Sequence, residues 1–363
     1  MKRLLVWLVF ISVIGVRWYY LPNDELVVGE RVRLTVPTVD YPEYSDSKTI
    51  LRRGKWEVRI KDYVEWEPGE VVAVVGEVTR LGNSNIVISE NAEIRRGENI
   101  TWGDKVLIGM SYVRRWAVGR LERILPEPES SLSAGILLGV KRQMPQEFYL
   151  SLVKTGTLHI VAASGYNVMV VAGSLMAILN RMLGKRAGVV AAVAGIWGYV
   201  LLSGASAAVV RAGIMGSLTL IAYYWGRVAE ARRLLWITAG VMLLVNPRYM
   251  VDVGFQLSVA ATAGLLYLNP IVEGIANRIS YIGKIEMVRD YLVPTLAATI
   301  ATAPIIWYHF GRVSLISPLV NIFVLPVVPL VMLLSAVTLI LPWAGYLAYV
   351  PLWWIVGVIR LFG

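Results

Sequence analysis

Two periodicities divide this chain. Between residues 24 and 105, apolar and polar positions alternate in short runs: Arg31-Val-Arg-Leu-Thr-Val36, Trp56-Glu-Val-Arg-Ile60 and Asn85-Ile-Val-Ile-Ser89. Pro68-Gly69 and Gly82-Asn83 supply turns between such runs, so the segment reads as β-structure. From Ile160 onward the alternation gives way to apolar runs of about 15–22 residues, each near the length that crosses a bilayer as a helix. They predict spans at about 159–180, 187–203, 206–225, 234–246, 250–269 and 290–309. Val313 to Pro342 is a single apolar stretch broken by Pro318, Pro326 and Pro329. It predicts either one long kinked helix or a short re-entrant helix followed by a span, because proline frees carbonyls that must meet protein or water. A last span covers Trp343 to Ile359.

Between these regions lies helical spacing of another kind. Arg114, Arg115, Arg120 and Arg123 alternate with Val113, Trp116, Val118, Leu121 and Ile124, and Pro126 ends the pattern. That is an amphipathic helix over 105–125. Leu132–Gly139 and Pro145–Lys154 are short for spanning and read as interfacial segments. At the start of the chain, Lys2 and Arg3 precede the run Leu4–Ile14, and no small-x-small cleavage site follows. Arg17 and the cluster Trp18, Tyr19, Tyr20 suit an interface, so the run reads as an uncleaved anchor rather than a signal peptide. The expected organisation is an anchor at 1–23, a β-module at 24–104, interfacial helices at 105–158 and a multi-span domain at 159–363.

Composition agrees: 363 residues, 56% hydrophobic, with mean hydropathy +0.60, are too apolar for a soluble protein of this size. Without cysteine the fold has no disulfides or thiolate metal sites. The basic links Arg181–Arg186, Arg227–Arg233 and the 270–289 loop all fall on one side if residue 158 starts outside, as the positive-inside bias expects for a cytoplasmic face. The β-module then lies outside. It holds twelve Lys/Arg against sixteen Asp/Glu over 24–105, a net −4, while residues 106–363 carry +11. A polyanion calls for the opposite sign from the module's, so the module is not a strong DNA receptor by itself.

Within the module, Glu70–Thr79 followed by Ile86-Val-Ile and Ala92-Glu-Ile94 resembles the middle of an OB-fold barrel. Trp56, Tyr63 and Trp66 either pack that barrel or offer platforms for stacked bases. The arginines of the 105–125 helix either touch lipid headgroups or form a basic vestibule that gathers a polyanion.

The polar residues of the apolar half are the chemically informative ones. Thr155-Gly-Thr-Leu-His-Ile-Val-Ala-Ala-Ser-Gly-Tyr-Asn167 opens a membrane-grade run with His159, Ser164 and Asn167 in it. Polar atoms left unpaired in hydrocarbon cost about several kcal/mol each, so these groups should face protein, water or a ligand. Arg211 lies in another span, where a charge costs at least about 2.5 kcal/mol. It is either paired with Asp252 or a cationic contact for phosphates. Gln256 and Asn321 either cap broken helices or line a passage, and His159 is either a satisfied interfacial histidine or a functional one.

These residues also carry a resemblance. TGTLHIVAASGYNV looks like the signature of the ComEC-type competence proteins, membrane channels that admit single-stranded DNA during transformation. Ala207-Ala-Val-Val-Arg-Ala-Gly-Ile-Met215, Val251-Asp-Val-Gly-Phe-Gln-Leu-Ser-Val259 and Ser317-Pro-Leu-Val-Asn321 are similar to three further family elements, in the same order. One departure is Asn167, where relatives usually have a second histidine, so a metal-ligating role there is not expected. The resemblance implies a bacterial plasma-membrane protein: α-helical, polytopic, with an extracytoplasmic all-β OB-like barrel inserted after the first transmembrane helix. It implies a single-stranded DNA path through the spans bearing Asn167, Ser164, His159, Arg211, Gln256 and Asn321, with Arg114, Arg115, Arg120, Arg123, Trp56 and Trp66 on the approach. A carrier of another anionic or lipid-linked substrate, or a non-conducting accessory protein, fits the same pattern.

Enzymatic activity is not expected. The chain ends after its last hydrophobic segment, without the metallo-β-lactamase-like nuclease many relatives carry. With only His159 and His309, a His-x-His-x-Asp-His cluster cannot be built. No G-x-x-x-x-G-K-[ST] loop is present. No cofactor or metal is implied. The partners expected are the bilayer, single-stranded DNA, and separate proteins serving as DNA receptor, nuclease and cytoplasmic ATPase motor.

Overall fold

Buried valines and isoleucines two positions apart, Val58 with Ile60 and Val72 with Val74, mark the inward face of the strands in the first unit. The computed structural model describes residues 31–38, 43–45, 48–53, 56–61, 64, 66, 68, 70–81, 84–96, 102–140, 144–161, 164–278 and 288–363. The expected anchor at 1–23, Tyr63, the side chain of Trp56 and part of the 270–289 loop lie outside the described residues. The chain divides into two compact units near residue 116.

The first unit is a six-stranded sheet: β1 (Arg31–Pro37), β2 (Glu43–Ser45), β3 (Lys48–Arg53), β4 (Trp56–Ile60), β5 (Glu70–Leu81) and β6 (Ser84–Arg96). Its order is β1-β5-β6-β4-β3-β2, with β4 and β6 parallel and the other pairs antiparallel. Val36, Leu51, Val58, Ile60, Val72, Val74, Val78 and Val87 share one core. Trp66 joins them at 5% exposure. Of the two readings of Trp66, core packing is the one seen: the indole fills the core of the sheet, so its candidacy as a platform on the DNA approach is set aside. The expected closed barrel is seen as a sheet whose edge strands, β1 and β2, are not paired with each other among the described residues.

The second unit is helical. After α1 (Trp102–Ile124) come α2 (Glu129–Leu138), α3 (Gln146–Lys154), the single turn α4 (Leu158–Val161) and α5 (Gly165–Leu202), which is two helices meeting at a kink where Gly184 takes a non-helical φ of 77°. Then follow α6 (Ala207–Tyr224), α7 (Ala231–Val245), α8 (Val253–Ala263), α9 (Asn269–Arg278) and α10 (Val293–Phe310). The chain continues with α11 (Ser317–Val324), α12 (Val328–Ile340) and α13 (Gly345–Phe362). A π-helical turn joins α8 to α9.

Among the described residues, five stretches are long and apolar enough to cross a membrane: Gly184–Leu202, Ala207–Tyr224, Val253–Arg278, Arg289–Phe310 and Pro342–Phe362. α11 and α12 meet at a 50° bend and together would make a sixth. The molecule is thus mostly helical, with several apolar spans. The proline-broken stretch forms a short helix and a longer one at that bend, a shape that a broken span and a re-entrant loop share. α2 packs against α4, α5, α12 and α13, with Leu132 and Ile136 in the main core.

Three elements differ from their sequence reading. The span expected at 159–180 is interrupted: α4 stops at Val161, and a new helix starts after Ser164. Ser164 offers its hydroxyl to the Asn167 amide, and such side-chain caps compete with a continuing helix. α7, with 15 residues, reaches about 22 Å, short of the roughly 30 Å of hydrocarbon. α2, expected at an interface, is buried on every face, because its serines and leucines are all enclosed by neighbouring helices. α3 keeps an amphipathic character, burying only Phe148 and Leu152.

Candidate functional site

The signature segment folds as a turn between two helices, and that turn organises the site. Thr155 and Thr157 are fully buried; the Thr155 hydroxyl donates to the Ser151 carbonyl at 2.7 Å and lies 2.8 Å from the Thr157 hydroxyl. Between them Gly156 takes a left-handed φ of 70°. A side chain there would lie 2.8 Å from the Cβ atoms of both Ser314 and Ser317, so the close approach requires glycine. The Gly156 carbonyl faces two groups: the Ser317 hydroxyl donates to it at 3.3 Å, and His159 Nδ1 lies 3.0 Å away. Ser317 in turn accepts from Asn321 Nδ2 at 3.4 Å. Asn321 is 1% exposed, and its Oδ1 is buried without a hydrogen-bond partner. The first and last of the sequence motifs therefore meet.

The turn's second half starts α5. The Ser164 hydroxyl donates to Asn167 Oδ1 at 3.0 Å, and Asn167 Nδ2 donates to the Ile136 carbonyl of α2 at 2.8 Å. Asn167 is 1% exposed. It acts here as a buried clamp that fixes the start of α5 on α2. His159 is exposed, and its ring hydrogen-bonds a carbonyl three residues back, so it stays with the turn.

Arg211 is the fifth residue of α6, about 6 Å from that helix's start rather than deep within it. Its guanidinium is nevertheless 5% exposed. Nε donates to the Ser258 hydroxyl at 2.9 Å on α8, and Nη1 to Met215 Sδ at 3.0 Å. Nη2 lies 3.4 Å from where a Gly165 Cβ would stand. The pairing with Asp252 expected from the sequence is not formed. Asp252 sits exposed at the start of α8, where Oδ1 accepts from the Phe255 amide at 2.6 Å. Ser258 lies six residues further on, about 9 Å along the axis, and that is where Arg211 docks. Among the described residues no carboxylate lies within ion-pair distance of Arg211.

Gln256, also near the start of α8, donates from Nε2 to the Met250 carbonyl at 2.7 Å. Its Oε1 lies 3.3 Å from His309 Nε2, next to the last residue of α10. Ser317 and Asn321 thus join the signature turn at Gly156, while Arg211 binds Ser258 on α8 and stands beside Gly165. Ser258 and His309 carry no individual signal in the sequence; only their proximity to partners 47 and 53 residues away reveals them. The helix bearing Arg114, Arg115, Arg120 and Arg123 forms as expected, with Arg115 and Arg123 exposed, Arg114 and Arg120 half-buried, and Leu121 fully buried.

Comparison with known proteins fits this arrangement. Residues 136–362 match the model of a family described as Competence protein. The chain is 23% identical over 315 residues to ComE operon protein 3 of Bacillus subtilis (strain 168), a match covering 82% of this chain and 38% of that protein. The chain therefore spans well under half the length of that curated relative. No solved structure matches.

Proposed function

The chain belongs to the competence protein family, and from that premise we propose that it forms the membrane path by which single-stranded DNA enters a bacterial cytoplasm. One observation carries the reading. Arg211 holds a full charge, 5% exposed, on a helix apolar enough to cross a membrane, and its partners are a hydroxyl and a thioether. Neutral acceptors orient a guanidinium without cancelling its charge, and a passing phosphate supplies what they lack.

In this reading Arg211, Gln256 and His309 mark the outer end of the path. The starts of α5, α6 and α8 lie on the side that the positive-inside bias assigns to the exterior. Such contacts work as several weak sites, so that a strand is drawn in without being trapped. A polyanion moving inward works against the membrane potential, about 2.3 kcal/mol per charge per 100 mV if the full potential is crossed. A cytoplasmic ATPase supplies that work in our proposal. A separate nuclease prepares the strand and a separate receptor delivers it, the chain itself being no enzyme. The outer β-module is OB-like in our reading. Its edge strands β1 and β2 are consecutive in sequence, and the central β4–β6 pair is parallel, as in a five-stranded barrel whose first strand is bent across both sides.

The experiment is DNA uptake in a strain lacking its own copy, complemented with variants of this chain. Arg211→Ala should reach the membrane at wild-type level and lose most uptake. Arg211→Lys should keep part of it, because a point charge remains. Wild-type uptake by well-expressed Arg211→Ala would refute the reading.

A further inference from the structure

Arg211 is only half of what surrounds Gly165. The other half is the start of α5, where the Ser164 hydroxyl is committed to the Asn167 amide and the Ser164 carbonyl to the Val168 amide. The amides of Gly165 and Tyr166 belong to the first turn, whose N–H groups have no intrahelical acceptor. No acceptor for them is found among the described residues. A helix start also carries partial positive charge.

Against it stands a guanidinium 5% exposed, with Nε and Nη1 engaged by Ser258 and Met215 and Nη2 left over. That Nη2 lies 3.4 Å from the empty Cβ position of Gly165. A buried guanidinium and a partly exposed helix start of like sign thus lie side by side, with no carboxylate in ion-pair range of the guanidinium among the described residues. Such a corner is stable when an anion occupies it, and the absent side chain at Gly165 leaves room for an oxygen to reach the backbone.

We infer that the Arg211 guanidinium and the first-turn amides of α5 form a phosphate site that takes one phosphodiester group of a nucleic-acid strand. The identity of the strand rests on the DNA-path reading; the existence of an anion site does not. The site needs no metal and no base contact, so it is blind to sequence, as a station for any strand should be.

The test uses the full chain in nanodiscs of zwitterionic lipid, followed by tryptophan fluorescence on heating. Inorganic phosphate should raise the melting temperature more than chloride at equal ionic strength. Gly165→Ala, whose added carbon meets Nη2 and the Ala212 Cβ at 3.4 Å, should fold and respond less. Gly165→Asp places a carboxylate in the corner: it should melt no lower than wild type without phosphate and show no phosphate response. A phosphodiester-linked oligothymidylate should bind Gly165→Asp about tenfold more weakly, as expected for losing a charge-assisted contact. An uncharged methylphosphonate analogue should not distinguish the two proteins.

No greater effect of phosphate than of chloride, together with a destabilised Gly165→Asp, would overturn the site. A phosphate response that oligonucleotide leaves intact but anionic-lipid nanodiscs abolish would assign the corner to a headgroup and overturn the strand assignment. If the phosphate response and its loss in Gly165→Asp hold while wild type carries no DNA in cells, the site stands and the DNA-path reading fails.

Discussion

A guanidinium held by a hydroxyl and a thioether keeps its whole charge, and that is the condition of Arg211. Asp252 has a different task. It caps α8, and replacing such a cap by alanine costs about 1 kcal/mol. Because the two side chains serve different partners, Arg211→Ala and Asp252→Ala should be additive in thermal unfolding, within about 0.5 kcal/mol. A double variant much more stable than that sum would restore the ion pair. The chemistry of each residue was legible in the sequence: an arginine in an apolar run, an aspartate before GFQLS. Their pairing was not, because it hung on where α6 and α8 cross. A displacement of six residues along α8 separates an ion pair from a hydrogen bond to Ser258.

Among the elements, the turn at 155–157 and helix α11 depend on each other most closely. Gly156→Ala meets two obstacles, a left-handed φ of 70° and the Cβ atoms of Ser314 and Ser317 at 2.8 Å. Gly311, the cap of α10, has a similar φ of 68° with open space around it. Gly311→Ala should therefore cost about 1–2 kcal/mol for backbone alone. Gly156→Ala should cost about 1–3 kcal/mol more for overpacking, measured as folded yield and melting temperature in detergent. Equal losses would mean that the turn and α11 are not in contact. Most helices were readable from apolar run length, and 290–309 against Arg289–Phe310 differs by a residue at each end. The break between α4 and α5 was not, although Ser164 and Asn167 were noticed. A capping serine declares itself only when its hydroxyl turns to the backbone rather than to a neighbour. The enclosure of α2 was not legible for a related reason: ten residues rich in serine and leucine do not declare which helices will surround them.

At the scale of the whole molecule, the account requires that the starts of α5, α6 and α8 share the outer side. The native chain has no cysteine, so single cysteines report without background. A cysteine at Ser206 should react with an impermeant maleimide added to intact cells. One at Glu230 or Glu273 should react only after permeabilisation, and the reverse pattern would invert the topology and the proposed direction of entry. The most direct measurement captures the strand in place. A photoreactive residue substituted for Met215, beside the Arg211 guanidinium, is illuminated while competent cells take up labelled DNA, with Ile237 on the exposed face of α7 as the control. The account predicts adducts between single-stranded DNA and the protein at 215 and none at 237. Uptake that proceeds normally with no adduct at 215 would contradict it.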